Sequence, residues 1–168
     1  MTAGGASTAV TIEPIRTAAQ MTEALAIRRA VFIEEQRVPE DEEIDAHDGD
    51  PATVTSAVHV LARRGGRPIG TGRLLLGRDD AGRGPSGHAH IGRVAVLASE
   101  RRGGVGRLVM EALQAEARAR GFEGITLAAQ LHAVPFYERL GYVARGDVFL
   151  DAGIEHRWMD LGLTEGER

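Results

Sequence analysis

The sequence predicts an α/β fold of the mixed α+β kind, a central mixed β-sheet with helices on both faces. Three observations predict it. His90 to Leu97 alternates and is rich in β-branched residues, as a strand does. After glycines at 103, 104 and 106, Val105, Leu108, Val109, Ala112 and Leu113 recur at the spacing of one apolar helix face. Two further strand patterns, Ala57 to Arg63 and Pro68 to Leu76, meet at Arg64-Gly65-Gly66-Arg67, a hairpin signal.

The remaining elements follow in chain order. Residues 1–8 are small and polar, without the layout of a signal peptide, and are expected to be a disordered tail; residues 9–163 are expected to form one domain. Val10 to Arg16 reads as a strand in which Pro14 favours an edge position. Met21, Leu25, Ala26 and Arg29 begin a helix running to about Glu35. Gln36 to Pro51 is acidic and reads as irregular; Arg78 to Gly87 reads as a polar surface loop. Ile125 to Ala129 is a short buried strand. Pro135 then suits the first turn of a helix and Gly141 its C-terminal cap. Two last strands, about Val143 to Leu150 and Glu155 to Leu161, turn at Asp151-Ala152-Gly153.

The stretch Arg101-Arg102-Gly103-Gly104-Val105-Gly106, followed by Arg107, carries the most chemistry. Glycines before a helix N-terminus let several N–H groups converge, and with the helix dipole they form a seat for a phosphate. The arginines can pair with further phosphates. A dinucleotide fingerprint starting at Gly104 would need glycine at 109, which is Val109. A Walker A loop needs lysine, and the chain has none. What remains is R-x-x-G-x-G, on Arg101, Gly104 and Gly106.

That pattern resembles the pyrophosphate loop of the GNAT acetyltransferases. The segment Phe136-Tyr137-Glu138-Arg139-Leu140-Gly141-Tyr142, one strand later, is similar to the second coenzyme A motif of the same family. Val31-Phe32-Ile33-Glu34-Glu35-Gln36 with Glu43 and Asp45, then Gly70-Thr71-Gly72-Arg73-Leu74, and finally Gly153-Ile154-Glu155-His156 with Met159, look like its ElaA-like branch. The resemblance covers nearly the whole chain. It implies a GNAT-like sheet in which two central parallel strands splay apart and acetyl-CoA, as cosubstrate, enters the gap. It also implies that the backbone of Val94, Ala95 and Val96 pairs with the pantetheine arm, that residues 101–107 hold the pyrophosphate, that the thioester lies near Gln130 and Tyr137, and that Phe136 belongs to the coenzyme site.

The activity so implied is N-acetyl transfer from acetyl-CoA to a primary amine, by direct attack in a ternary complex. The amine must lose a proton, the oxyanion needs donors and the thiolate must be protonated. The N–H of Val96 or its neighbour is expected as the oxyanion donor and Tyr137 as the acid; the alternative for Tyr137 is a packed, half-buried ring. Many family members carry a glutamate base on the strand matching 90–97, and this strand has no carboxylate. His90, Glu34, Glu35 and His156 stay open as the base, each also readable as an ordinary strand histidine or a solvated carboxylate. His88 and His90 could share a strand face, but no further ligand cluster accompanies them, so no metal is expected. The acidic run 40–50 would border the acceptor side, where it could attract a polyamine, an aminosugar or a peptide N-terminus, or could be a solvated loop.

Composition narrows the field further. The chain has 168 residues, 43% hydrophobic content, no cysteine and a net charge of −4, and all its basic residues are arginine. Disulfides, thiol nucleophiles and Schiff-base lysines are excluded. The charge argues against general nucleic-acid binding, and no apolar run reaches the roughly 18 residues of a membrane span. A cytoplasmic protein is expected, with a homodimer suggested by its relatives. Two rival functions are a non-catalytic acyl-CoA sensor, favoured by the missing strand carboxylate, and a nucleotide-binding protein.

Overall fold

A computed structural model describes residues 9–77 and 87–163. The expected tail 1–8 and nearly all of the loop 78–87 lie outside the described residues. The seven strands are β1 Val10–Pro14, β2 Ala57–Arg64, β3 Arg67–Leu75, β4 His88–Val96, β5 Gly124–Gln130, β6 Val143–Asp151 and β7 Ile154–Gly162. They form one mixed sheet in the order β1-β2-β3-β4-β5-β7-β6. Pro14 is on an edge strand, where its missing N–H costs no ladder bond. The β2–β3 hairpin closes at Gly65 (φ 58°) and Gly66 (φ 79°), two left-handed residues as a primed two-residue turn requires.

Helices α1 (Ala18–Arg28), α3 (Val105–Ala119) and α4 (Val134–Arg139) cover the sheet, and α2 (Glu40–Glu43) is a single turn. Thr17 starts α1 with a capping box, accepting from the Gln20 N–H while the Gln20 side chain accepts from the Thr17 N–H. The α-helix stops sooner than the apolar spacing predicts. From Arg29 to Glu35 the chain widens into a π-helical segment. Gln36 to Pro51 is also more ordered than expected, carrying α2 and a 3₁₀ turn at Ala46–Asp48. β4 begins at His88, two residues before the strand expected from His90.

α3 packs one face of the sheet through Val105, Val109, Met110, Leu113 and Ala117. A Cβ at Gly72 would stand 2.6 Å from Val109 Cγ1 and 2.9 Å from Leu113 Cδ1, so glycine there lets the helix lie close on β3. α1 packs the other face through Met21, Ala24 and Ile27.

One irregularity sets the geometry of the centre. Along β3–β4, Arg73 pairs Gly92 but Thr71 pairs Ala95, so Gly72 opposes two residues, Arg93 and Val94. This is a β-bulge, and Arg93 adopts φ 54°. It reverses the side-chain alternation of β4. Ala89 and Ile91 face the α3 core before it; after it Val94 and Val96 do, while Ala95 turns to the α1 cluster. β4 and β5 run parallel but pair only at His88↔Gly124, Ala89↔Ile125 and His90↔Thr126. Beyond that, β4 stays with β3 as far as Val96 and β5 stays with β7 as far as Gln130. The two central strands therefore splay apart.

Candidate active site at the splayed strands

The edge of β4 that faces the gap begins where its pairing with β5 ends. Leu97 N–H donates back to Ile69 on the β3 side (2.9 Å), while the Val96 carbonyl points the other way and accepts from Arg101 Nε (3.0 Å). In an extended strand the N–H and C=O of one residue point to the same side, so the Val96 N–H also looks into the gap. A chain laid there could take the place of the lost strand neighbour.

The glycine-rich loop ends beside this edge. Arg102 (φ 72°) and Gly104 (φ 81°) are left-handed, and Gly104 caps α3. Leu108 N–H returns to the Gly104 carbonyl (3.2 Å), which leaves the N–H groups of Val105, Gly106 and Arg107 without an intrahelical acceptor at the positive end of a 15-residue helix. A Cβ on Gly106 would stand 3.4 Å from Phe136 Cζ and 4.0 Å from Val96 Cγ2. The loop, the gap edge and α4 thus meet at this glycine. The seat fits a pyrophosphate: three N–H groups without an intrahelical acceptor converge at the positive end of the helix, and glycine at 106 adds no side chain beside Phe136. Arg107 pairs Glu111 on its own helix, and Arg101 holds Glu35 through two bonds of 2.8 Å.

α4 brings Phe136 and Tyr137 to the core edge. The Tyr137 ring meets Phe136 (centroids 5.0 Å, 75°) and Tyr142 (5.8 Å, 71°) edge to face. Burial pushes the Tyr137 hydroxyl up to about 12. The deeper Tyr142 instead donates to Gln114 (2.8 Å).

Across the gap, Gln130 ends β5 opposite His156 of β7. Its side chain exchanges amide hydrogen bonds with Gln36, at the end of the π-helical segment (2.8 and 3.3 Å). His156 is buried, and its Nδ1 lies 2.7 Å from the Ile154 carbonyl. A carbonyl only accepts, so Nδ1 carries the hydrogen and Nε2 the lone pair. Glu35 is exposed and differently placed: its Arg101 partner holds its carboxyl below the usual range. Glu34 is exposed on the same segment. His90 is buried at the last β4–β5 pair, edge-on to Trp158 (6.3 Å). His88 faces Thr126 Oγ1 (3.0 Å).

Three comparisons bear on this architecture. A profile of the Acetyltransferase (GNAT) family matches residues 21–142. The chain belongs to the GNAT family. Among its relatives, the uncharacterized N-acetyltransferase YjcF of Bacillus subtilis (strain 168) is 38% identical over 141 residues, covering 83% of this chain and 91% of YjcF. An acyl-CoA N-acyltransferase from Pseudomonas aeruginosa superposes with TM-score 0.71 at 31% identity, over 90% of this chain and 99% of that one. Escherichia coli ElaA superposes with TM-score 0.74 at 25% identity, over 90% and 99%. The resemblance to the ElaA-like branch is thereby confirmed, and this GNAT protein is an acyl-CoA-dependent N-acyltransferase. Among the described residues no helix is long and apolar enough to cross a membrane.

Beside the GNAT gap lies a charge cluster that the sequence reading missed. The expectation of an acidic run open to an ammonium group needs correcting for Glu43, Asp45 and Asp48. Arg28, 1% exposed, bonds Glu43 (2.8 Å) and Asp48 (2.6 Å); Arg73 bonds Asp45 (2.9 Å) and Asp48 (3.2 Å). These carboxylates neutralise buried arginines, which burial otherwise makes costly. Arg93 joins them, its Nε donating to the Glu43 carbonyl (3.1 Å) and its NH2 to that of Glu42 (3.3 Å). The β4 bulge is thus fastened by the guanidinium of the residue that forms it. In the sequence the signal was present as Arg28, Arg73 and Arg93 inside otherwise apolar elements, but their partners lie up to 51 residues away.

Proposed function

We propose that this GNAT protein transfers the acetyl group of acetyl-CoA to a primary amine, by direct attack of the amine in a ternary complex. The observation that carries the reading is the three-residue β4–β5 pairing, with a β4 edge that has lost its strand neighbour on one side of the gap and the α3 N-terminus at its rim. Acetyl-CoA, when bound, supplies the activated acetyl group. The N–H groups of Val105, Gly106 and Arg107, with the arginines at 101 and 102, bind its phosphates, and the backbone of Val94 to Val96 receives the pantetheine arm.

The chain's own groups then handle the protons. His156 Nε2 takes the proton from the acceptor ammonium, since Nδ1 is committed to Ile154. Glu35, held low by Arg101, is the weaker proton acceptor. The Val96 N–H donates to the acetyl oxygen as charge builds there. Tyr137 stays protonated at neutral pH and donates to the departing sulfur.

The test combines calorimetry with acetyl-CoA, ATP and NAD and a thiol-release assay over a panel of amines. Selective binding of acetyl-CoA with amine-dependent thiol release is expected. His156→Gln should lower turnover about 100-fold while Glu35→Gln changes it only a few-fold; the reverse order would make Glu35 the base. Binding without release for any amine would favour the non-catalytic acyl-CoA sensor.

A further inference from the structure

The sheet face that α1 covers over β3 and β4 continues past the gap onto β5, β7 and β6, where its side chains are of another kind. His156, Trp158 and Asp160 alternate along β7 and so share that face. Opposite them on β6 stand Phe149 and Arg145. Phe149 stacks on Trp158 (5.0 Å, 23°) and on His156 (5.8 Å, 24°), so it joins the three rings into one aromatic row. Phe149 and Trp158 are only half-buried. The row begins at His156, beside the Gln36–Gln130 amide pair at the mouth of the gap.

Its far end is closed by a matched pair of charges. The Arg145 guanidinium lies 5.8 Å over the Trp158 ring and bonds Asp160, which also accepts from Thr126 Oγ1 (2.6 Å). A ligand running from His156 along the rings meets polar, uncharged groups first, then aromatic surface, then a guanidinium already matched by its own carboxylate. A second ammonium on the ligand would approach the Arg145 guanidinium, whose partner Asp160 is already engaged. Of the acidic run beside the gap, Glu43, Asp45 and Asp48 are held by arginines, while Asp41, Glu42 and Asp50 are exposed.

We propose that the acceptor is a primary amine bearing an aromatic ring, its nitrogen at His156 and its ring on the Phe149–Trp158 stack. This rests on the acetyl-transfer reading above and names the substrate class of that same site. The acceptor ammonium gives one proton to His156; the amine so formed attacks, making one N–C bond as the thioester C–S bond breaks. The sulfur leaves with a proton from Tyr137, and the second proton that the nitrogen sheds passes through solvent to restore the Tyr137 hydroxyl. An aromatic ring gains stacking with Phe149 and Trp158 that a saturated ring of equal area lacks.

Trp158 is the chain's single tryptophan, so its fluorescence reports on this site directly. The experiment measures kcat/KM for 2-phenylethylamine, 2-cyclohexylethylamine and spermidine, together with Trp158 fluorescence during amine titration in the presence of coenzyme A. We expect the aromatic amine to lead by about tenfold and to change the fluorescence saturably. Trp158→Leu should remove that lead through KM with acetyl-CoA affinity unchanged, and Trp158→Phe should restore it. Equal or better kcat/KM for spermidine or the saturated amine overturns the proposal but leaves acetyl transfer standing. Saturable fluorescence change without transfer to any amine would keep the aromatic site and overturn the transfer reading. Neither signal would overturn both.

Discussion

Gly106 occupies a point where three parts of the GNAT site meet, with a Cβ position 3.4 Å from Phe136 and the gap edge at Val96 just beyond. Glutamate there would fill the space between loop and α4 and set a negative charge at the proposed phosphate seat. Gly106→Glu is therefore expected to abolish acetyl-CoA binding in calorimetry while the far-UV spectrum stays native; unchanged affinity would remove the loop from the coenzyme site. Tyr137 differs in that only its hydroxyl is asked to act. Its ring is already placed by Phe136 and Tyr142. Tyr137→Phe should lower kcat about 100-fold with acetyl-CoA affinity unchanged, and equal turnover would deny it the acid role. Both residues were legible in the sequence, because a phosphate seat demands glycine locally and the Phe136–Tyr142 segment is contiguous. His156 stood there only as one candidate among four: what singles it out is a hydrogen bond to Ile154, two residues away and invisible in a residue pattern.

The elements divide along the same line. The β2–β3 hairpin, the unit of β4, loop and α3, and the paired strands β6 and β7 were readable because each is specified by neighbours in the chain. The β4 bulge was not. Its left-handed residue is Arg93, not a glycine, and no local preference selects it; the carbonyls of Glu42 and Glu43 do. The π-helical segment from Arg29 to Glu35 escaped for a like reason, since its apolar spacing passes for an ordinary helix. At this scale Gly72 gives the sharpest test. Its would-be Cβ lies 2.6 Å from Val109 and 2.9 Å from Leu113, on a helix whose Leu113 is 0% exposed and cannot yield outward without opening the core. Gly72→Ala should cost about 1–3 kcal/mol of stability in a denaturant titration. A neutral result would mean that α3 can slide on β3, and the loop at its N-terminus with it.

Over the whole molecule, the α1 side of the sheet is tied to the centre by buried charges as well as by its apolar cluster. Arg28 of α1, Arg73 of β3 and Arg93 of the bulge share Glu43, Asp45 and Asp48 from the chain that follows the π-helical segment. Removing one partner leaves a buried charge uncompensated, so Asp48→Asn should cost about 3–5 kcal/mol. The pH dependence separates this carboxylate from the others. Arg28 holds Asp48 far below its usual value of 3.8, against the opposing effect of burial. A carboxyl lowered on folding contributes stability that is full above its unfolded value and is lost as pH falls toward its folded one. Glu43 has the opposite sign, because burial raises it, so its contribution is full below its unfolded value and is lost as pH rises through its folded one. His59 is lowered by burial and, like Asp48, loses its contribution as pH falls. Glu43 and His59 remain in the Asp48→Asn variant. Asp48 pulls His59 upward across 4.0 Å, so the variant shifts His59 too; the loss of Asp48's own contribution shows below about pH 5, where the difference between wild type and variant should shrink toward about pH 3. A pH-independent difference in unfolding free energy would mean that Asp48 acts by packing alone, and that the charge cluster does not hold α1 to the bulge.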